Sequence, residues 1–166
     1  MGIEIPQNKF LILDGAMGTV LQQRGLSPQG RPELLNLTEP ELLNSVYKEY
    51  IAAGSQVIYA NTFGANGLKL AKTGHSVEEV VGAAIAVAKK AAAGTGTLVA
   101  LDVGPLGELL EPMGTLSFER AYDLFREMAE AGAKAGADLI VVETMTDLYE
   151  AKAALLAAKE AAHLPV

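Results

Sequence analysis

Four short apolar runs recur along the chain, and each ends at a polar residue that small or turn-forming residues follow. The runs and their ends are Leu11-Ile12-Leu13 before Asp14, Val57-Ile58-Tyr59-Ala60 before Asn61, Leu98-Val99-Ala100-Leu101 before Asp102, and Leu139-Ile140-Val141-Val142 before Glu143. Helix-forming sequence follows every run, so the pattern predicts a βα unit used four times. In parallel α/β folds the carboxyl ends of the strands share one edge, and ligands bind there.

Breakers and capping signals set the bounds of the first predicted helices. A tight turn at Gly15 leads into a short helix that runs through Arg24. Pro28, Gly30 and Pro32 make the stretch from residue 25 to residue 37 irregular. Thr38-Glu39-Pro40-Glu41 reads as a capping box with proline in the first turn, and it opens a helix that ends near Gly54. This helix is expected to bury Leu42, Val46 and Tyr50 on one face.

The later helices have clearer starts. A second capping box at Ser76 opens a helix to about Ala93, Ser117 starts one to about Ala135, and Asp147 caps a last helix to about Ala162. The helix after Ser117 should bury the large side chains Phe118, Tyr122, Phe125 and Met128 or their near neighbours. The long loop from Gly104 to Gly114, rich in glycine and proline, is expected to be ordered by contacts rather than by secondary structure.

No linker, low-complexity tract or break in composition interrupts the chain, so residues 1–166 are predicted to form a single unit. Leu164-Pro165-Val166 reads as the start of a fifth strand. Parallel strands joined by right-handed helical crossovers form either a closed barrel or an open sheet, and the pattern leaves both open.

Composition restricts the class of protein. The net charge of −7 leaves no basic stripe for phosphates, which argues against nucleic-acid binding. No apolar run is long enough to span a membrane, and the first ten residues lack the blocks of a signal peptide, so a cytoplasmic location is expected. The absence of cysteine excludes disulfides and thiolate metal sites within these 166 residues.

The polar strand ends carry the candidate chemistry. Asp14, Asp102 and Glu143 should place three carboxylates on one edge of the sheet, and the neighbouring polar residues are Asn61, Thr62 and Thr144. Carboxylates accept hydrogen bonds from an ammonium, act as bases or bind a hard metal. The turn residues Gly15, Ala16, Met17, Gly18 and Thr19 offer backbone amides to an anion such as a carboxylate. An ammonium acceptor beside an anion site describes an amino-acid site.

Other interpretations of these residues remain. Polar residues also end strands simply because the edge of a sheet meets water, and Gly and Thr serve as turn residues. The same three carboxylates could instead hold Mg²⁺ in an unrelated barrel enzyme. His75 and His163 have no neighbours in the sequence that suggest a metal site, and both are interpreted as surface residues.

Several motifs together resemble those of the homocysteine S-methyltransferase family. They are the opening segment from Leu11 to Thr19, Glu33-Leu34-Leu35-Asn36-Leu37, the Ala53-Gly54-Ser55 turn, Asn61-Thr62-Phe63-Gly64-Ala65-Asn66, Asp102-Val103-Gly104-Pro105-Leu106-Gly107 and Val142-Glu143-Thr144. The likeness covers nearly the whole chain and is strongest to the N-terminal homocysteine-binding module of cobalamin-dependent methionine synthases. Betaine-dependent and S-methylmethionine-dependent relatives share the fold and remain alternatives.

The resemblance implies a fold and a reaction. The fold would be the N-terminal half of a (β/α)₈ TIM barrel, with the first four βα units present and the fifth strand just begun. The family methylates the zinc-bound thiolate of homocysteine to give methionine, and methionine synthases receive the methyl group from methylcobalamin and methyltetrahydrofolate held by other modules. By resemblance, Asp14 and Glu143 would lie at the homocysteine site, with Glu143 as the stronger candidate for binding the ammonium. Gly15 to Thr19 would lie near the substrate carboxylate, and Asn61, Thr62 and Asp102 would line or support the pocket.

The chain departs from the family in one respect. The family's three zinc cysteines come late in its sequences, beyond the point that corresponds to Val166, so no catalytic or metal residue is expected within this chain. The chain alone is therefore expected to be inactive. Open sheet edges invite pairing, so self-association in place of the missing C-terminal half-barrel is also expected. A non-catalytic half-barrel that serves as a binding or assembly module is the alternative.

Overall fold

The structure, a computed structural model, describes residues 10–27 and 30–166 of the 166-residue chain. Its helices are α1 (Met17–Gln23), a 3₁₀ helix (Pro32–Leu34), α2 (Leu35–Thr38), α3 (Pro40–Ala52), α4 (Gly67–Leu70), α5 (Val77–Ala92), α6 (Phe118–Ala135) and α7 (Leu148–Ala161). The strands are β1 (Val57–Tyr59), β2 (Leu98–Val103) and β3 (Leu139–Val142). Pro28 and nearly all of the segment examined for a signal peptide lie outside the described residues.

The three strands form one parallel sheet in the order β1-β2-β3. Val57 lies opposite Leu98, and Ala100 lies opposite Leu139. Helices connect successive strands, as expected for repeated βα units. The predicted α/β class with parallel strands is confirmed.

The first predicted strand, Leu11 to Leu13, is reduced to a single parallel bridge between Leu13 and Val57. The Ile12 carbonyl accepts the Gln56 and Val57 N–H groups, and side chains add further bonds on either side of this bridge. The Gln56 carboxamide oxygen accepts the Ile12 N–H at 3.0 Å, and the Asp14 carboxylate accepts the Tyr59 N–H at 3.0 Å. The segment therefore keeps its predicted place beside β1 without forming a strand.

The segment from Leu164 to Val166 does not form a strand within the described residues. It does lie beside β3, because the Ile140 N–H donates to the Pro165 carbonyl at 2.8 Å. The predicted fifth strand is therefore present only as this one contact.

The region between Gly25 and α3 contradicts two expectations. It contains the 3₁₀ helix and α2 rather than irregular chain alone. Thr38 is not a cap: its hydroxyl donates to the Leu34 carbonyl at 3.2 Å, and Glu39 is the N-cap residue without a side-chain capping bond. The predicted capping box is wrong because Thr38 is already the last residue of α2, although Pro40 does open α3.

The buried face of α3 is also rotated from the prediction. Leu43, Val46 and Tyr47 are buried, whereas Leu42 and Tyr50 are only partly buried. The other helix starts are confirmed, since the side chains of Ser76, Ser117 and Asp147 accept hydrogen bonds from the first turns of α5, α6 and α7. In α6, Phe125 and Met128 are buried, whereas Phe118 and Tyr122 are partly buried at the margin of the core.

The core lies between the sheet and the helices that cover its outer face. α5 packs against α3 and α6, and α6 packs against α7. Small alanines fill these contacts, among them Ala84, Ala88, Ala121 and Ala153, each fully buried. Small side chains allow these helices to pack close together. The polar side chains of the candidate site lie elsewhere, at the carboxyl edge of the sheet. Within the part of the chain that the structure describes, no helix is both long and apolar enough to cross a membrane.

Candidate functional site

The carboxyl ends of β1, β2 and β3 open onto one cavity of about 500 Å³. The segment before α1 and the 3₁₀ helix complete its wall. The described residues that line it are Asp14, Gly15, Ala16, Met17, Gly18, Pro32, Glu33, Tyr59, Ala60, Asn61, Phe63, Asp102 and Glu143. Residues that are far apart in the sequence therefore meet in a single pocket.

Eight of the eleven site residues predicted from the sequence line this pocket, and Thr19, Thr62 and Thr144 do not. Thr19 is exposed on α1, and Thr62 is fully buried behind the pocket wall. Thr144 is exposed, with a backbone φ of 57° that is uncommon for a β-branched residue. The structure thus brings the predicted carboxylates and the glycine turn together but places these three threonines outside the cavity.

Asp14 is held at the point where the first segment leaves the sheet. Its Oδ2 accepts the Tyr59 N–H, and its backbone N–H donates to the Val57 carbonyl at 3.0 Å. Its other carboxylate oxygen, Oδ1, is buried and has no hydrogen-bond partner among the described residues. Burial, opposed by backbone hydrogen bonds and reinforced by the charge of Glu143, raises the pKa of Asp14 to about 7.

Asp102 lies near the carboxyl end of β2, and only 7% of its surface is exposed. The Thr62 hydroxyl donates to the Asp102 carbonyl at 2.8 Å and accepts the Asp102 N–H at 3.0 Å. Thr62 thus ties the end of β1 to β2 and fixes the backbone of Asp102. The Asp102 Oδ1 atom has no partner among the described residues. Burial and the nearby charges of Glu143, Asp14 and Glu33 raise the pKa of Asp102 to about 8.

Glu143 follows β3 directly, and its backbone N–H donates to the Val103 carbonyl at 3.1 Å. This bond extends the β2–β3 pairing by one residue and points the segment at the pocket. Glu143 is partly buried. Its negative charge is among the causes that raise the pKa of both aspartates.

Asn61 serves mainly to hold the neighbouring wall. Its side-chain amide donates to the Pro32 carbonyl at 2.6 Å, and its backbone carbonyl accepts from the Asn36 side-chain amide at 2.8 Å. Its backbone N–H donates to the fully buried Tyr47 hydroxyl at 2.8 Å. These bonds fasten the 3₁₀ helix to the end of β1.

Sequence reasoning assigned no role to Glu33, Tyr59 or Phe63, and all three line the pocket. Glu33 Oε1 accepts the Gly64 N–H at 2.8 Å, in space that a Cβ at Gly64 would occupy. Tyr59 is the one aromatic residue in the first three apolar runs that end at polar residues. This unusual residue type was the sequence feature that could have identified Tyr59 as a site residue. Burial and the surrounding acids raise the pKa of Tyr59 to about 12.

Lys69 supports the pocket wall from behind. Its ammonium donates to the Pro105 carbonyl at 2.8 Å and lies 5.5 Å from the centroid of the Phe63 ring. Partial burial lowers the pKa of Lys69. A Cβ at Gly104 would overlap the Phe63 ring, so this glycine lets the ring lie against the end of β2. The loops after β1 and β2 are thereby joined.

The charged residues that line the pocket, among those that the structure describes, are all acidic. Four of its lining residues are carboxylic acids, namely Asp14, Glu33, Asp102 and Glu143, and no Lys, Arg or His is among the described residues that line it. A site of this kind favours a cationic group and disfavours full ionisation of its own acids. Met17, Ala60 and Phe63 supply an apolar wall beside them.

The described residues contain no group of three or more His, Cys, Asp or Glu side chains arranged to hold a metal ion. The sequence also has no cysteine. The described residues therefore do not fit the zinc ion that the resemblance implies, nor the magnesium site of the alternative interpretation. His75 instead lies 3.0 Å from Glu79 Oε2 on the surface, and His163 lies at the end of α7.

Parallel βα units with an acidic pocket at the carboxyl ends of the strands define the class of fold and site, and known proteins share this fold. Residues 11–166 match the model of the homocysteine S-methyltransferase family. The chain belongs to this family.

Relatives of known identity cover the chain almost completely. It is 31% identical to the methionine synthase of Mycobacterium tuberculosis and 30% identical to that of Mycobacterium leprae, over 99% of this chain and 15% of either relative. Among solved structures, the oxidized form of the homocysteine methyltransferase MmuM from Escherichia coli matches with a TM-score of 0.79 and 30% identity, over 93% of this chain and 61% of MmuM. The metallated form of MmuM matches with a TM-score of 0.78 and 30% identity, over 94% of this chain and 62% of MmuM.

The chain thus spans less than two thirds of MmuM and a small part of the methionine synthases. The fold expectation is confirmed, since the chain corresponds to a portion of the MmuM structure.

Proposed function

We propose that the acidic pocket binds L-homocysteine by its ammonium group and that the chain is the substrate-binding portion of a homocysteine methyltransferase. The observation that carries this proposal is the convergence of Asp14, Asp102 and Glu143 on one cavity without a lining cation among the described residues. An ammonium ion is the complement of such a site. Membership of the family supplies the choice of amino acid.

The rest of the ligand has matching surroundings. We assign the ligand carboxylate to the backbone amides between Gly15 and Thr19, because no cationic side chain is among the described residues that line the pocket. The apolar wall that includes Met17 and Phe63 would contact the methylene chain. Glu143 is proposed as the principal ammonium acceptor, because burial raises the pKa of its neighbours Asp14 and Asp102 in the empty pocket.

Methyl transfer is proposed for the complete family member, of which this chain is a portion. The zinc ion would be held outside these residues, which do not fit it. Since the match to methionine synthases covers 99% of the chain, we propose methylcobalamin as the donor, replenished from methyltetrahydrofolate in other modules. Assays of the complete protein with methylcobalamin, S-methylmethionine or betaine decide the donor. Methionine formed only from S-methylmethionine or betaine would contradict the cobalamin assignment.

The binding proposal is tested by isothermal titration calorimetry of this chain with L-homocysteine under reducing conditions. We expect Glu143→Gln to weaken binding about tenfold or more, since a charge-assisted hydrogen bond is lost. Glu130→Gln, the same change on the exposed face of α6, is the matched control and should bind as the unmodified chain does. Equal binding of 4-mercaptobutanoate, which lacks the ammonium, would overturn the proposal.

A second candidate function, an assembly module, rests on a different feature. An apolar groove of about 370 Å³ lies beside β3 and is lined by residues that include Leu11, Val141, Leu155 and Val166. Three strands and one bridged segment supply about half of an eight-stranded barrel, so a second copy of the chain could complete it. We expect a dimer in size-exclusion chromatography with light scattering. A stable, folded monomer would contradict this expectation.

A further inference from the structure

The inner end of the pocket holds a carboxyl group that nothing in the described residues satisfies. Asp102 is 93% buried, and its Oδ1 atom has no hydrogen-bond partner there, although the side chain lines the cavity. Asp14, on the adjacent segment, carries a second buried and unpartnered Oδ1 and also lines this cavity. A buried acceptor without a partner is costly, and a ligand that donates to it removes that cost.

Among the described residues, the titratable groups that interact with Asp102 are acids or phenols and carry no positive charge. They are Asp14, Glu33, Tyr47, Tyr59 and Glu143. Carboxylates that share one desolvated site cannot all be ionised at neutral pH, so their titrations are coupled. The raised pKa values of Asp14 and Asp102 have this cause, with burial as the larger contribution.

We propose that the Asp14–Asp102 pair holds a proton in the empty pocket and releases it to solvent when a cationic ligand group enters, so that ligand binding is coupled to proton release. This inference rests on the proposed function, because it requires a cationic group in this pocket. The cation stabilises the ionised carboxylates, and the proton leaves because its carboxyl group becomes an acceptor for the ligand. No bond other than O–H is broken.

The coupling fixes how affinity depends on pH. Below the raised pKa of the pair, binding must displace the proton, so affinity increases by up to about tenfold per pH unit for one proton released. Above about pH 8 the pair is ionised without a ligand, and the dependence flattens. Asp102 is therefore a specificity-determining residue. A neutral ligand is disfavoured because it leaves the acidic groups without a partner, whereas a cationic ligand is favoured increasingly as pH rises.

The protonation of the empty pocket is tested without any ligand. Carbon-13 NMR of the aspartate carboxyl carbons follows each group through a pH titration, and Asp14→Asn and Asp102→Asn identify the two signals. We expect both signals to titrate far above the remaining aspartates. Titration of every aspartate in the ordinary range of about 3 to 5 would overturn the inference, whatever the pocket binds.

The coupling itself is tested by calorimetry with L-methionine as the probe, which has an ammonium group but no thiol. Titrations at about pH 6.5, in two buffers of different ionisation enthalpy, count the protons released, and we expect about one per ligand. Asp102→Asn should reduce that count and flatten the pH dependence, whereas Asp123→Asn, the same change on exposed α6, should alter neither. Binding without proton release overturns the coupling alone. Absence of L-methionine binding at any pH, together with absence of L-homocysteine binding, overturns the proposed function and the coupling with it.

Discussion

Asp102 and Asp138 lie at opposite ends of the same sheet, and their surroundings differ in kind. Asp138, just before β3, accepts the Lys89 ammonium at 2.7 Å and the Val99 N–H at 2.7 Å. Asp102, near the end of β2, leaves an oxygen unpartnered. The Asp138 carboxylate links α5 and β2 to the start of β3, whereas Asp102 lines the cavity. The amino end of the sheet thus carries a stabilising contact and the carboxyl end carries the acidic pocket, a division that is typical of α/β barrels.

The largest expected effect is at the stabilising end. Asp138→Ala removes an ion pair and a strand contact and leaves the Val99 N–H without its acceptor. We expect the free energy of unfolding to fall by about 3 kcal/mol. Urea denaturation at neutral pH measures this, with Asp123→Ala on exposed α6 as the control. A loss no larger than that of the control would end the contrast between the two ends of the sheet.

The second prediction concerns Asp102 at the carboxyl end of the sheet, where a substitution is expected to raise the free energy of unfolding rather than lower it. The folded chain binds a proton at Asp102 up to about pH 8, whereas the unfolded chain loses that proton near the ordinary value of 3.8. The free energy of unfolding therefore decreases as pH rises through this window. Asp102→Asn should raise it by ~2 kcal/mol at high pH and change little near pH 4. A variant that is less stable than the unmodified chain at high pH would refute this.

The smallest effect compares two strained residues. Thr144 beside the pocket and His163 after α7 have positive φ values of 57° and 54°. Glycine removes this strain, and the gain exceeds the cost of making the unfolded chain more flexible. Each substitution should therefore raise the free energy of unfolding by about 0.5 to 1 kcal/mol. Thermal unfolding measures both variants. Only Thr144→Gly should also change ligand affinity, since it frees the segment that holds Glu143, and an equal effect of His163→Gly would contradict this.

Much of the fold could be predicted from local pattern. The runs before Asn61, Asp102 and Glu143 became β1, β2 and β3, because continuous apolar sequence between helices suits a buried parallel strand. Ser76, Ser117 and Asp147 cap helices as predicted, since capping depends on a few neighbouring atoms. Thr38 failed as a cap because the residues before it already form α2, of which Thr38 is the last residue.

The candidate site was predictable by position and not by role. Asp14, Asp102 and Glu143 could be placed at one edge from their spacing alone. Thr62 and Asn61 could not be separated from them, although the structure uses these two to hold backbone and wall. Glu33 and Tyr59 reach the pocket from elements whose direction depends on packing.

The sequence by itself determined which residues end the strands and therefore which acids share an edge, because period and polarity are properties of the chain. Only the tertiary structure decided which of these acids are buried, unpartnered and protonated, since desolvation depends on groups contributed by distant segments. Two aspartates of the same intrinsic acidity thus became an anchor at one end of the sheet and a proton-holding site at the other.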